Sequence, residues 1–290
     1  MTALESRNRP AGRRRRALPR PPQWIVLAIA IVVAILMLLP FYLLIVNSFK
    51  TGADYSANGP LAVPEQWTFS AFERYLSTVD FPRLLLNSIL IAGIVSVLGV
   101  GFSLLAAYAI GVGRIKGRTS VVFVFLLATI LPQEALIYPL FTGMQAIGLQ
   151  NSIWSVIIVF TVLQAAFGTY VLSSVMGTFP PELLEAARVD GANRWTILTR
   201  IVAPVMRPTM SVLLVFFFVW TWNEFFIPMI MLISPGAQTL PIALAALKGQ
   251  NTLDVTQLAA ASLLSLLPTL IFFFIFQRTL TRGVTAGAVK

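Results

Sequence analysis

Two carboxylates, Glu134 and Glu224, are the side chains in this sequence best suited to chemistry, and both lie inside otherwise apolar stretches. A carboxylate in such a stretch is costly to bury, so it usually faces a cavity or a polar partner. Gln164 and Asn223 lie in similar surroundings and can both donate and accept hydrogen bonds. Two interpretations stay open: these four side chains line a path for a polar solute, or they tie helices and subunits together.

Composition excludes most other kinds of site. The chain has no cysteine and no histidine, which removes thiol nucleophiles, imidazole bases and most transition-metal sites. Its carboxylates are not clustered at metal-ligand spacing, so we expect no bound metal and no enzymatic activity. The Gly-x-x-x-x-Gly-Lys-Ser/Thr phosphate loop is also missing, so we expect no ATP and no other cofactor on this chain.

The elements that position these residues must be membrane-spanning helices. Of the 290 residues, 57% are hydrophobic and only 11% are charged, against about 25% charged in a soluble domain. A helix needs about 20 apolar residues to cross the hydrocarbon of a bilayer. We therefore predict an all-α integral membrane protein, with a basic tail over residues 1–23 and one membrane domain over residues 24–290. Its six transmembrane helices are predicted at residues 24–46, 84–112, 119–141, 152–176, 209–233 and 256–276.

The positive charges give these spans an orientation. All but four of the 21 basic residues fall in the N-terminal tail, the C-terminal tail or the loops after spans two and four, and the exceptions are Lys50, Arg74, Arg83 and Lys248. Loops rich in lysine and arginine stay in the cytoplasm, so both termini are predicted to be cytoplasmic. Basic residues beside the first span also suit anionic lipid headgroups, which leaves nucleic acid without a role.

The cytoplasmic loop between spans four and five, residues 177–208, is predicted to form two short helices around a turn. Pro181 suits a first helical position, and Glu182 and Glu185 complement a helix N-terminus. Gly191 is placed to end the first helix, and Asn193 to cap the second. The loop is therefore a structured segment rather than a plain connection.

The second of these helices is predicted to be amphipathic. Trp195, Leu198 and Ile201 recur every three residues and form an apolar stripe, and Pro204 and Pro208 mark the return into the membrane. Such a helix commonly lies on lipid headgroups, and docking of a protein is the alternative. Small side chains favour close approach by a protein, at Ala186, Ala187, Gly191 and Ala192. Acidic side chains would be repelled by anionic lipid, at Glu182, Glu185 and Asp190.

The spacing of this loop resembles the signature of permease subunits of binding-protein-dependent ATP-binding-cassette importers. The pattern is Glu-Ala-Ala at residues 185–187, three residues, Gly191, nine residues, and Ile201-x-x-Pro204, with Ala203 where the family usually has leucine. Other motifs look like the carbohydrate-uptake branch, namely Asn87-Ser88, Trp222-Asn223-Glu224-Phe225, Leu240-Pro241 and the C-terminal residues 282–290. The similarity covers about residues 80–290 and is closest to the smaller, six-span subunit of the maltose type.

This resemblance implies a bacterial cytoplasmic-membrane permease that works with other proteins. They are a second permease subunit, two ATP-binding subunits that hold ATP and magnesium, and an extracytoplasmic sugar-binding protein. The loop would couple to the ATPase through Glu182, Glu185, Ala186, Ala187, Asp190, Gly191, Arg194 and Pro204. The pathway for sugar would be lined by Gln164, Asn223, Glu224 and Glu134.

Two other functions fit this sequence less well. An ion-coupled secondary transporter is the main alternative; it typically has intramembrane ion-coupling groups and an inverted repeat, and this sequence shows two isolated acids and no visible repeat. A membrane enzyme is disfavoured because histidine, cysteine and clustered carboxylates are missing. The sequence does not specify the transported sugar.

Overall fold

The computed structural model describes residues 23–113, 115–177, 179–248 and 254–288, with side chains described as far as Arg278. Within these ranges every regular element is helical, so the predicted all-α class is confirmed. The predicted basic tail lies outside the described residues except for its last position. The α-helices, in chain order, are α1 Gln23–Ser48, α2 Gly52–Asn58, α3 Ser70–Thr78, α4 Phe81–Gly111, α5 Arg118–Ile130, α6 Ile137–Ala146, α7 Ile153–Met176, α8 Pro181–Val189, α9 Arg194–Ile197, α10 Ala203–Asn223, α11 Phe226–Met231, α12 Leu240–Lys248 and α13 Val255–Ala288.

The chain divides into two compact units, Met1–Leu43 and Leu44–Lys290. In the first unit, the described residues form most of α1. Their large apolar side chains are exposed along the helix, as expected of a span whose solvent is lipid. Among the described residues, five helices are long and apolar enough to cross a membrane, and a bent pair makes a sixth candidate span.

The core of the second unit is a packed group of three long helices, α4, α7 and α10. Glycines allow them to approach closely. A Cβ at Gly168 of α7 would overlap the Ser103 hydroxyl of α4, and one at Gly99 would lie 3.1 Å from the Phe217 ring of α10. Small residues at helix contacts are typical of membrane proteins, since packing rather than hydrophobic burial drives helix association there.

The predicted third span, residues 119–141, is wrong as a single continuous helix. The structure ends α5 at Ile130, inserts a 3₁₀ turn at Gln133–Leu136, and continues into α6 after a bend of 92°. Pro132 explains the break, because a proline lacks the N–H for a helical hydrogen bond and pushes the preceding residue into an extended conformation. Leu131 has that conformation, with φ −62° and ψ 128°.

The predicted fifth span, residues 209–233, also differs from the structure at both ends. The helix begins at Arg194, well before Thr209, and runs to Asn223 through a π-helical turn at Leu198–Val202. Beyond Asn223 the helix is broken, and the short α11 follows. Pro228 disfavours a continuous helix here, because its ring would clash with the carbonyl four residues earlier, at Glu224.

The N-terminal part of α4 binds the segment that follows α11. The Asn87 amide donates to the carbonyl oxygens of Gly236 at 3.1 Å and Gln238 at 2.9 Å. The Ser88 hydroxyl accepts from the Leu240 N–H at 2.9 Å. Two motifs that are far apart in sequence, Asn87-Ser88 and Leu240-Pro241, therefore meet. The last span, predicted at residues 256–276, is part of the longer α13.

Candidate functional site

The loop between α7 and α10 begins with a helix whose two ends are set by its sequence. Pro181 starts α8, where a missing N–H costs nothing. After Val189 the chain turns back through Gly191, which has φ +76°. The Gly191 N–H donates to the Arg188 carbonyl at 3.1 Å, and the Ala192 N–H donates to the Ala187 carbonyl at 2.9 Å. These paired bonds form a Schellman motif, so the predicted glycine stop is confirmed.

The inner face of α8 packs on the helix bundle. Ala187 is 7% exposed and Leu184 half-buried, and both belong to a cluster with Leu104, Leu172 and Met176 of α4 and α7. Because Ala187 is buried in this contact, its small side chain allows α8 to pack closely on the bundle. The loop is thus held to the bundle through α8.

The next helix is anchored by two hydrogen bonds. The Asn193 side chain accepts from the Thr196 N–H at 2.8 Å, so the predicted cap is confirmed. From the end of α4, the Tyr108 hydroxyl donates to the Arg194 carbonyl at 2.9 Å. Sequence reasoning missed Tyr108; its signal was a lone phenol near the C-terminal end of an apolar span.

The outer face of α8 is exposed and mixes apolar and acidic side chains. Val189 is 87% exposed, which is unusual for a residue of its type, and Leu183 is 47% exposed. The helical period places these residues on one side of α8, opposite Leu184 and Ala187. We name this face, together with the adjacent Trp195, the docking surface: Glu182, Leu183, Ala186, Val189, Asp190 and Trp195.

The docking surface is free to pair with another molecule. No ion pair joins the carboxylates of Glu182, Glu185 or Asp190 to a basic residue within the described part of the chain. Exposed apolar patches next to unpaired charges mark sites of protein interaction.

The predicted stripe of Trp195, Leu198 and Ile201 is wrong as a single face. Leu198 is buried at 4% exposure, Ile201 is half-buried and Trp195 is 66% exposed. The buried side chains of this segment are instead those of Ile197, Leu198 and Val202. A π-helical turn at Leu198–Val202 changes the register that the regular helical period assumed.

Pro204 and Pro208 are predicted to mark the return of the chain into the membrane, and in the structure both lie within the helix that leads out of the loop. Pro204 lies in the first turn of α10 and Pro208 inside it, and the helix is continuous with the π turn. A proline interior to a helix clashes with the carbonyl four residues before it. The wider π turn directly before Pro204 relieves that clash. Pro204 is exposed and lies outside α8, so it does not share the docking face.

A cavity of about 480 Å³ opens beside the loop, between α4 and the turn after α8. Tyr108 and Asn193 line it together with two arginines, Arg188 and Arg194. A second cavity of about 250 Å³ lies on the other side of Arg188 and is lined by Glu185 and Arg118. Both charge signs therefore lie within one small area around α8.

The predicted pathway residues do not form one cluster. Gln164 is 3% exposed and its amide donates to the Thr221 hydroxyl at 2.7 Å, joining α7 to α10. Glu134 is exposed in the 3₁₀ turn between α5 and α6. Within the described residues, no hydrogen bond or ion pair joins either side chain to Asn223 or Glu224.

Asn223 and Glu224 are brought together at the break that follows α10. Both line a cavity of about 390 Å³. The Asn223 amide donates to the Val219 carbonyl at 2.7 Å, and a Glu224 carboxylate oxygen accepts from the Phe226 N–H at 3.2 Å. The Glu224 carboxylate thus binds an N–H at the start of α11 that has no partner within that helix. Sequence reasoning placed both residues inside a continuous helix and missed the break.

Comparison with known proteins shows the family. The sequence profile of the binding-protein-dependent transport system inner membrane component matches residues 99–286, which include the loop and both cavities around α8. The chain belongs to this family. Its members are membrane components of transporters whose ATPase is a separate subunit, so this permease chain is not itself an enzyme, and an ion-coupled secondary transporter is excluded.

Several relatives match nearly the whole permease chain. It is 31% identical to the inner membrane ABC transporter permease protein YcjP of Escherichia coli, over 88% of this chain and 92% of that protein. It is 32% identical to the trehalose/maltose transport system permease protein MalG of Thermococcus litoralis, over 90% and 94%. It is also 32% identical to the lactose transport system permease protein LacG of Rhizobium radiobacter, over 95% and 98%.

Solved structures show the same fold. The permease chain superimposes on a chain from a bacterial ABC transporter involved in the import of the acidic polysaccharide alginate, with a TM-score of 0.75. The match covers 88% of this chain and 95% of that one, at 24% identity. The permease fold predicted from the loop signature is confirmed, together with a membrane location.

Proposed function

We propose that this permease is one of two membrane subunits of an ATP-driven sugar importer, and that α8 receives the motion of the ATPase. The observation that carries the proposal is the docking surface, a short helix fixed to the bundle on one face and exposed on the other. Its inner face packs through Ala187, and its outer face presents Ala186 and Val189. A helix held this way moves together with the bundle when a partner displaces it.

The partners follow from this arrangement. Two ATP-binding subunits, each holding ATP and magnesium, bind the cytoplasmic side, one of them against the docking surface. The permease itself binds no cofactor. A second permease subunit completes the pathway, and an extracytoplasmic binding protein delivers the solute. The loop signature and the family's dependence on a binding protein support this assembly.

Sugar is the solute class that the relatives favour. Two of the relatives are permease proteins of a trehalose/maltose and a lactose transport system, and each is matched over more than 90% of its own length. In the pathway, Asn223 and Glu224 offer an amide and a carboxylate that can hydrogen-bond to hydroxyl groups. Gln164 acts mainly as a tie between α7 and α10, because its amide is already bonded to Thr221. Glu134 lines the pathway at the other broken span.

The positive charges around the loop support a cytoplasmic position for the docking surface. Arg188, Arg194, Arg200 and Arg207 lie in the loop that contains it, and Arg118 lines a cavity beside α8. An excess of positive charge marks the cytoplasmic side. Both termini are then cytoplasmic, in the inner membrane of a bacterium.

The substitution Ala186→Leu tests the role of the docking surface. Ala186 is exposed, so leucine fits the isolated permease, but its added bulk prevents close approach by a partner. With all four subunits co-expressed, we expect the ATPase recovered with the permease to fall about tenfold or more, since a central contact is lost. The matched control is Ala146→Leu at the exposed end of α6, which lies on the opposite side by the predicted topology.

Equal ATPase recovery with both variants would contradict the proposal. Recovery of the second permease subunit with Ala186→Leu distinguishes a docking defect from misfolding. We expect that subunit to be retained, because α8 is on the cytoplasmic surface of the bundle.

A further inference from the structure

A cavity of about 550 Å³ lies between α10, α12 and α13, at the outer end of the bundle. Its size is within the range of small-molecule sites. Its wall combines aromatic side chains with an amide and a row of hydroxyls: Trp222, Asn223, Phe225, Ser262, Ser265 and Thr269. Neither the loop signature nor the predicted pathway residues had pointed to α13.

The hydroxyls on α13 share one face. Ser262, Ser265 and Thr269 are separated by three and four residues, so they lie above one another on the side that lines the cavity. At 1.5 Å per residue they extend from about 10 Å to about 21 Å below the start of the helix. Together they present a row of hydroxyl groups to the cavity, where a polar occupant can bind those that the helix backbone does not already bind.

Much of the hydrogen-bonding capacity in this cavity is unused. Within the described residues, the Ser262 and Thr269 hydroxyls make no hydrogen bond, whereas Ser265 donates to the Ala261 carbonyl at 2.9 Å. Asn223 uses its amide N–H on Val219, which leaves the amide oxygen as an acceptor toward the cavity. A ligand with several hydroxyls can donate to and accept from all of these groups.

The aromatic side of the cavity is rigid. Trp222 is 5% exposed and stacks on Phe218 at 5.8 Å, and Phe218 stacks on Phe272 at 3.8 Å. Next to it, the half-buried Phe225 offers a ring to the cavity. An apolar wall opposite a few fixed polar groups gives a pocket both affinity and orientation. Sugars have an apolar C–H face and polar hydroxyls, so their chemistry fits both walls.

We propose that this cavity is a sugar-binding subsite, and that the permease contacts the transported sugar directly through Ser262 and Thr269 of α13. The subsite rests on the proposed function, because it assigns the sugar a place within that importer. Lys248 lies at its rim, where the ammonium group can donate to a sugar oxygen. The broken end of α10 positions Asn223 at the mouth of the cavity.

The natural absence of cysteine gives a direct test. In Thr269→Cys, the new thiol is the single reactive thiol of this chain and reports occupancy of the cavity. The complete importer is held open to the outside with a non-hydrolysed ATP analogue, and labelling of this chain by a small maleimide is followed. The probe is the sugar that supports uptake from a panel of trehalose, maltose, lactose and melibiose, supplied on the binding protein.

We expect the sugar to slow labelling of Thr269→Cys about tenfold at saturation, because only the unoccupied fraction reacts. Ser56→Cys, on an exposed position of α2 outside the membrane spans and the cavity lining, is the control and labels at one rate with or without sugar. A second variant, Ser262→Ala with Thr269→Val, should lower uptake about fivefold or more through lost hydrogen bonds. Its ATP hydrolysis should still respond to the loaded binding protein.

A labelling rate of Thr269→Cys that is the same with and without sugar would overturn the proposed subsite. So would a thiol that reacts in the isolated permease but is blocked in the sugar-free complex, since the cavity would then hold the second permease. Either result leaves ATP-driven uptake intact, whereas failure of the proposed function abolishes uptake for the unsubstituted chain as well.

Discussion

Glu134 and Glu224 lie where helices are interrupted, and this position gives each carboxylate a reason to be there. A break leaves backbone N–H groups without partners, which is costly inside a membrane. Glu224 accepts from the Phe226 N–H, and Glu134 lies in the first turn of the 3₁₀ segment, where negative charge is favourable. In transporters of several folds, broken helices surround the solute site.

The substitution Glu224→Gln separates the cap from the charge. Glutamine keeps an oxygen that can accept from Phe226, so the permease should fold and assemble. We expect sugar uptake in proteoliposomes to fall about tenfold, because hydrogen bonds to a charged group contribute about 1.5–3 kcal/mol. Glu73→Gln on the exposed surface of α3 is the control. Unchanged uptake with a normal yield of complex would show that Glu224 is structural.

Asp254 makes the stability of the folded protein depend on pH. Burial alone would raise its pKa, but hydrogen bonds from Thr256 and Gln257 and the Arg74 guanidinium, 3.1 Å away, together lower the pKa below its ordinary value of 3.8. A carboxylate with a lowered pKa adds stability above its unfolded pKa and loses it as pH falls through the folded one.

The Asp254→Asn variant should therefore be less stable than the unsubstituted chain at neutral pH. Both partners are partly exposed, so the difference should be only about 0.2–1 kcal/mol. We expect the two melting temperatures to converge as the pH falls below 3.8 and through the lower pKa, measured on purified protein in detergent. A gap that stays constant with pH would show that the ion pair contributes nothing.

At the scale of elements, the helical class and the loop between spans four and five could be predicted more reliably than the continuity of each helix. Hydropathy counts apolar residues, and an interrupted span is as apolar as an unbroken one. Pro132 and Pro228 were visible, but prolines also occur inside continuous membrane helices, as Pro40 and Pro268 do here. The loop was more predictable because Pro181, Gly191 and Asn193 each act on local backbone geometry. The cavity at α13 needed tertiary structure, since its walls come from separate segments.

The substitution Gly191→Ala tests whether the stop of α8 matters for coupling. A Cβ is strained at φ +76°, at a cost of about 1–2 kcal/mol. We expect the docking surface to lose its fixed orientation and ATP-driven uptake to fall several-fold, roughly in line with that cost. Gly148→Ala imposes the same strain at φ +73° between α6 and α7 and serves as the control. Equal losses of uptake in both variants would point to general instability.

At the scale of the molecule, α4 contacts both ends of the transport machinery. Its outer end binds the segment before α12 through Asn87 and Ser88, and its inner end binds the loop through Tyr108. Between them it packs along α7 and α10. We propose that a displacement of α8 by a partner reaches the cavity at α13 along these packed helices. This physical continuity links the docking surface to the proposed sugar subsite.

Measuring which energy source drives uptake tests whether this permease works in an ATP-driven importer. The complete importer is reconstituted in proteoliposomes with sugar-loaded binding protein outside, and uptake is measured with ATP inside, without ATP, and with ion gradients in place of ATP. We expect uptake with internal ATP alone, and we expect this uptake to be lost when Ala186→Leu prevents docking. Uptake driven by an ion gradient in the absence of ATP, unaffected by Ala186→Leu, would contradict this expectation.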